Sequence, residues 1–180
     1  HEIRTPMNGI IGFSEMFMKS GLSDKKRNFI AKIVIDSGKQ LLNLINDILD
    51  ISKIETGDIT ITTEEMNLND LIMELYAFFK PQSVNKSLKI IPCKNLPDDE
   101  SEIWADNIRL KQVLVNLLNN AFKFTHEGYI KFGYECDDKT LHFFVEDTGI
   151  GIADDRLESI FERFRQAETT TSRMYGGTGL

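Results

Sequence analysis

The chain has 180 residues, 21 Lys plus Arg against 28 Asp plus Glu, a formal charge of −7, and 41 % apolar residues. This composition excludes a disordered, collagen-like or cysteine-stapled chain, and the acidic balance argues against non-specific nucleic-acid binding. No apolar run reaches the ~20 residues that span a bilayer and no signal peptide leads the chain, while Cys93 and Cys136 lack metal-like spacing, so a reduced, cytoplasmic setting is expected.

Charge divides the chain. Residues 1–60 carry eight basic and eight acidic residues, and residues 61–180 carry 13 basic and 20 acidic. In the first part Ile3, Pro6, Ile10, Phe13 and Phe17 form one helical stripe, broken at Gly21. Ser23 or Asp24 caps a second helix with apolar positions Ile30, Val34, Leu41, Leu44, Ile48 and Ile51, widened by Ile33, Ile45 and Leu49, and Thr56-Gly57-Asp58 ends it. Such wide stripes cannot be hidden within one pair of helices. A second copy of the hairpin gives a dimeric four-helix bundle; packing on the rest of the same chain is the alternative.

From residue 58 strands and helices mix. Ile59–Thr62 alternates like a strand; Asn67 or Asn69 opens a helix through Leu71, Ile72, Leu75 and Phe79, stopped at Pro81. Leu88–Ile91 reads as a strand, and a loop with Pro97 and an acidic cluster follows. Asn107–Phe124 is a strong helix with Leu110, Val113, Leu114, Leu117, Leu118 and Ala121 on its apolar face. Tyr129–Cys136 and Thr140–Asp147 form a hairpin about Asp137-Asp138, and a short helix follows Asp154. Trp104 is expected as a core anchor. The fold class is α+β: a helical hairpin, then helices layered on a mixed sheet.

Opposite the apolar face of helix 107–124 run Arg109, Gln112, Asn116, Asn120 and Lys123. Asn favours neither helix nor mere solvation there; two carboxamides and an ammonium suit an anion or its metal ion. By itself the stripe is equally an exposed face. Asp147-Thr148-Gly149-Ile150-Gly151 puts a carboxylate at a strand end before a glycine-rich turn, where a flat ring can approach the backbone. Gly176-Gly177-Thr178-Gly179 is a second glycine-rich stretch whose N–H groups could cradle phosphate.

In order and spacing, NLLNNAFKFT (116–125), DTGIGI (147–152), FERFRQ (161–166) and GGTGL (176–180) resemble the N, G1, F and G2 boxes of the histidine-kinase ATP-binding domain. HEIRTPMNGIIGFSE (1–15) resembles the H box of the phosphoacceptor hairpin. The resemblance implies a dimerisation and histidine-phosphotransfer hairpin over residues 1–56 and, over residues 57–180, an incomplete α/β sandwich of the Bergerat type that binds ATP. Asp147 would take the adenine amine, and Asn120 would ligate Mg²⁺ between the phosphates. Asn116 and Lys123 would contact phosphate, Phe124, Gly149, Gly151 and Ile152 would line the nucleotide, and residues from about Glu162 to Tyr175 would form its lid. Arg173 or Arg165 would stand in for the arginine that relatives carry at Gln166, and Gly177, Thr178, Gly179 and Leu180 would wrap the phosphates. Gyrase-type and chaperone-type ATPases of the same fold place a water-activating Glu four residues before the metal-binding Asn. Here that position is Asn116, which is no base at neutral pH.

The nucleophile would be His1, about 200° around the helix from Ile3 and so directed away from the bundle seam. Glu2 would orient the ring or accept its proton, and Thr5 would position water against phospho-His1. Pro6 would bend the helix beside it. His126 and His142 receive no role. The expected activity is autophosphorylation of His1 and transfer to an Asp of a response regulator, docked near Asn8 and Phe13, with a non-catalytic dimeric scaffold as the alternative. Arg163 departs from the F-box Pro of many relatives. Starting on His1 and stopping on Leu180, the chain is expected to be a piece of a longer parent, truncated at both ends.

Overall fold

The computed structural model describes residues 3–157 apart from Ser20 and Lys139. The described chain divides into two units, residues 3–59 with 155–157 and residues 60–154.

In the first unit, α1 (Arg4–Phe17) and α2 (Asp24–Thr56) form the expected helical hairpin, turning through Gly21 at φ +84°. Gly9 lets the helices approach, since a Cβ there would lie 2.9 Å from Ser37 Oγ. Pro6 is buried in the first described turn of α1, where a missing N–H costs least; the bend expected beside His1 lies outside the described residues. Ser23 is the N-cap of α2, but its side chain makes no capping bond. At the other end Gly57 takes the left-handed conformation (φ +72°), with its N–H on the Ile54 carbonyl and that of Asp58 on the Lys53 carbonyl. These bonds satisfy carbonyls the helix leaves unpaired. Ile30 and Leu44 are buried. Ile35, Leu42, Ile45 and Leu49 remain exposed, at steps of 7, 3 and 4 on a second seam of α2.

The second unit, residues 60–154, holds β1 (Glu64–Asn67), α3 (Leu68–Lys86), β2 (Lys89–Cys93), β3 (Glu102–Ala105), α4 (Asn107–Phe124), β4 (Tyr129–Asp137) and β5 (Thr140–Asp147). β1 and β3 pair antiparallel, and a second sheet runs β2-β4-β5 with β2 parallel and β5 antiparallel to β4. Its core joins Leu71, Ile72, Leu75 and Phe79 of α3 to Leu114, Leu118 and Phe122 of α4 and Ile130, Phe132 and Tyr134 of β4. Phe79 and Phe122 stack at 5.2 Å. The buried carboxamide of Asn69 accepts from Tyr134 Oη at 2.7 Å and donates to the Leu96 carbonyl and Asp98, so the polar groups in this core have partners.

Several expectations are corrected. The first strand is Glu64–Asn67, not Ile59–Thr62: its ladder begins at Glu64 opposite Ala105, leaving Ile61 beyond the pairing and exposed. Asn67 does open α3, its side chain accepting from the Asp70 N–H at 3.1 Å. The helix passes Pro81 and runs to Lys86. The carbonyl that Pro81 leaves without a donor belongs to exposed Ala77, while Phe79 and Ser83 on either side are buried and hold the helix to the core. Trp104 is 72 % exposed: β3, which the sequence pattern did not reveal, alternates so that Ile103 and Ala105 face the core and Trp104 stands outward opposite Glu65. On α4, Val113 and Leu117 are exposed rather than part of the buried face. After Asp154 the described segment is a 3₁₀ turn, Asp154–Arg156.

Candidate active site

Helix α4 begins where Asp106 accepts from the Arg109 N–H at 3.0 Å and ends where the Thr125 N–H reaches the Ala121 carbonyl at 3.0 Å. With Leu114, Leu118, Ala121 and Phe122 turned into the core, helical period leaves Gln112, Asn116 and Asn120 in solvent on the other side. Asn116 and Asn120 stand one turn apart, flanked by exposed Val113 and Leu117. Arg109 Nη1 donates to Gln112 Oε1 at 2.9 Å, so the start of the stripe is organised by its own side chains. Lys123, one turn beyond Asn120, is half-buried with its ammonium 4.8 Å from the Phe124 ring centre. Burial lowers its affinity for a proton below that of an ordinary lysine, which favours a site that supplies negative charge.

The end of β5 meets the end of α4. Asp147 Oδ1 accepts from the Gly149 N–H at 2.8 Å and from the Thr125 hydroxyl at 3.4 Å. A Cβ on Gly149 would lie 2.6 Å from the Phe124 carbonyl oxygen and 2.7 Å from Asp147 Oδ1, so the turn comes this close only as glycine. Gly151 has φ +69°, a left-handed conformation that side chains disfavour. Thr148 bridges the hairpin base, accepting from the Tyr129 N–H and donating to the Glu127 carbonyl. Ile150 and Ile152 are exposed beyond the turn.

The structure thus assembles Lys123, Phe124, Thr125, Asp147 and Gly149 at one junction, with Asn116 and Asn120 on the preceding turns of α4. Thr5 is exposed on α1. His1, Glu2, the stretch from Glu162 to Tyr175 with Arg165 and Arg173, and Gly177, Thr178, Gly179 and Leu180 lie outside the described residues. Thr125 received no role in the sequence reading. Its position just past the helix carries no local signal, because the acceptor its buried hydroxyl finds comes from a strand end 22 residues on. A groove of about 420 Å³ against Glu65, Asp70 and Asn107 lies at the start of α4, roughly 25 Å from the junction. No group of three or more His, Cys, Asp or Glu side chains among the described residues could hold a metal ion. A carboxamide and exposed surface suit an ion that arrives already bound to phosphate oxygens better than a resident one.

Residues 1–57 match the His Kinase A (phospho-acceptor) domain family, and residues 105–180 match the histidine kinase-, DNA gyrase B-, and HSP90-like ATPase family. The autoinducer 2 sensor kinase/phosphatase LuxQ of Vibrio cholerae is 40 % identical over all of this chain, which spans 21 % of that relative's length. Full-length ShkA in complex with AMPPNP superimposes with a TM-score of 0.72 at 31 % identity, covering 100 % of this chain and 37 % of that one. Histidine kinase ThkA in complex with response regulator protein TrrA gives 0.69 at 29 %, covering 99 % and 52 %. The two family matches fall on the helical hairpin and on the part holding α4 and the Asp147 turn, so the chain belongs to the sensor histidine kinases, of which it is a catalytic core.

Proposed function

We propose that the parent protein phosphorylates itself on His1 with ATP and passes the phosphoryl group to an Asp of a response regulator. Residues 1–56 would be the dimerisation and phosphotransfer hairpin and residues 57–180 the ATP-binding domain. The observation that carries this reading is the junction itself: a carboxylate held through one oxygen, beside two exposed carboxamides and a half-buried lysine. Asp147 accepts the adenine amine, Phe124 and Ile152 flank the ring, and Asn116 and Lys123 meet the phosphates. Asn120 would hold Mg²⁺, which would supply charge neutralisation at the phosphate oxygens. Asn116 offers no base to water, so bound ATP persists until an imidazole reaches it. The His1 nitrogen then forms a bond to the γ-phosphorus as the bridging P–O bond breaks, ADP leaves, and Glu2 accepts the ring proton. Thr5 positions water against phospho-His1, so that hydrolysis of the N–P bond releases phosphate and regenerates the imidazole.

A homodimer through the hairpin is supported by the exposed seam of Ile35, Leu42, Ile45 and Leu49. The described residues include no helix long and apolar enough to cross a membrane, and ATP as substrate places this segment on the cytoplasmic side of any anchor. The parent incubated with γ-³²P-ATP is expected to carry acid-labile, base-stable label, lost in His1→Gln. Label persisting in His1→Gln overturns the nucleophile. Steady phosphate release without labelled protein would instead make it a hydrolase, and nucleotide binding with neither would make it a scaffold.

A further inference from the structure

We infer that Thr125 is a positioning residue that fixes the Asp147 carboxylate and thereby sets selection of a nucleobase carrying an exocyclic amine. The inference rests on the proposed role of Asp147 as acceptor for that amine. Thr125 is fully buried directly after the last turn of α4, with an extended backbone that turns its hydroxyl toward the end of β5. The hydroxyl donates to Asp147 Oδ1, the same oxygen that takes the Gly149 N–H. A carboxylate rotates almost freely about its last side-chain bond. Two donors from different elements on one oxygen remove that rotation and leave Oδ2 as the outward acceptor. An acceptor fixed there pairs with a ring amine and opposes a ring carbonyl at the same place. Deleting the hydroxyl leaves the Gly149 N–H as the remaining hold on Oδ1, so the carboxylate presents Oδ2 only part of the time. A ligand that needs the amine bond loses affinity; one without the amine does not.

The test compares equilibrium binding of ATP and of purine riboside triphosphate, which lacks the 6-amino group, to the parent protein and its variants. Thr125→Val is expected to weaken ATP about 3- to 10-fold, the scale of one hydrogen bond, and to leave purine riboside triphosphate unchanged, while Thr125→Ser keeps the wild-type ratio. Equal weakening of both nucleotides by Thr125→Val, or an unchanged ATP affinity, overturns the inference. Should the valine variant not fold, Thr125→Ala carries the same expectation. Asp147→Ala separates the two levels. If it abolishes ATP preference while Thr125→Val keeps it, the Asp147 reading stands and the Thr125 inference falls. If neither wild type nor Asp147→Ala distinguishes the nucleotides, both fall.

Discussion

At Gly149 a single methyl group would have to share space with a backbone oxygen 2.6 Å away. Neither the Phe124 carbonyl nor Asp147 can yield without loosening the junction. Gly149→Ala should therefore cost about 1–3 kcal/mol of unfolding free energy, read as a lower urea midpoint, and should weaken ATP binding in the same protein. Asn116 offers a complementary test. Asn116→Glu introduces a carboxylate where hydrolysing relatives carry one, and phosphate release into solvent should rise by on the order of tenfold or more, measured by a coupled phosphate assay. Legibility differed among these residues. Asp147, Gly149 and the carboxamides of α4 stand out in the chain through their resemblance, in order and spacing, to the boxes of the histidine-kinase ATP-binding domain, each stretch being weak alone. Thr125 does not, since its role depends on which strand ends beside the helix. Trp104 was misread for a related reason: a large ring suggests burial, but strand parity against Glu65 decides its face.

Among the elements, the bounds of α4 were legible because a long 3.6-residue apolar repeat defines it, although Val113 and Leu117 of that repeat are exposed and its Asp106 cap emerges only in the structure. β1 was not, because four residues with one buried side chain, Met66, carry no period, and pairing with β3 defines them. The stop expected at Pro81 shows packing overriding propensity. Capping gives α4 a pH dependence. The N–H groups of Arg109 and then Thr62 stabilise the ionised Asp106, lowering its folded-state pKa below the usual 3.8. A depressed carboxylate pKa means stability that is present above the unfolded value and lost as pH falls through the folded one. Asp106→Ala should thus lower the urea midpoint at pH 6, and the gap from wild type should narrow progressively below about pH 4. On α3, Phe79→Ala removes a ring stacked on Phe122 and should cost about 3–5 kcal/mol, checked by the same denaturation.

Over the whole molecule, the hairpin and the α/β unit differ in how completely they bury their apolar residues. The α/β unit has a continuous core. The hairpin buries Ile30 and Leu44 yet leaves a seam of exposed aliphatic residues along α2, the surplus already visible in the width of its sequence stripes. A chain of 20.6 kDa should accordingly sediment at twice that mass, and Leu42→Lys with Leu49→Lys should return it to monomer without unfolding the α/β unit, as judged by retained ATP binding. The fold class was legible because period changes from helical to mixed near residue 58; the pairing of β1 with β3 across α3 and β2 was not, since it joins residues that no local pattern connects.

Between Gly57, which closes α2, and Glu64, which opens β1, six residues belong to neither helix nor strand. Fully drawn out they reach about 20 Å, and under the proposed function this tether would hold the phosphate donor and the acceptor ring at an effective concentration on the order of millimolar. Self-labelling should then proceed as a first-order event whose half-time does not lengthen on dilution, so long as the assembled species persists. Lengthening this tether tenfold with Gly-Ser repeats would slow it by local dilution alone, with every contact at either end intact.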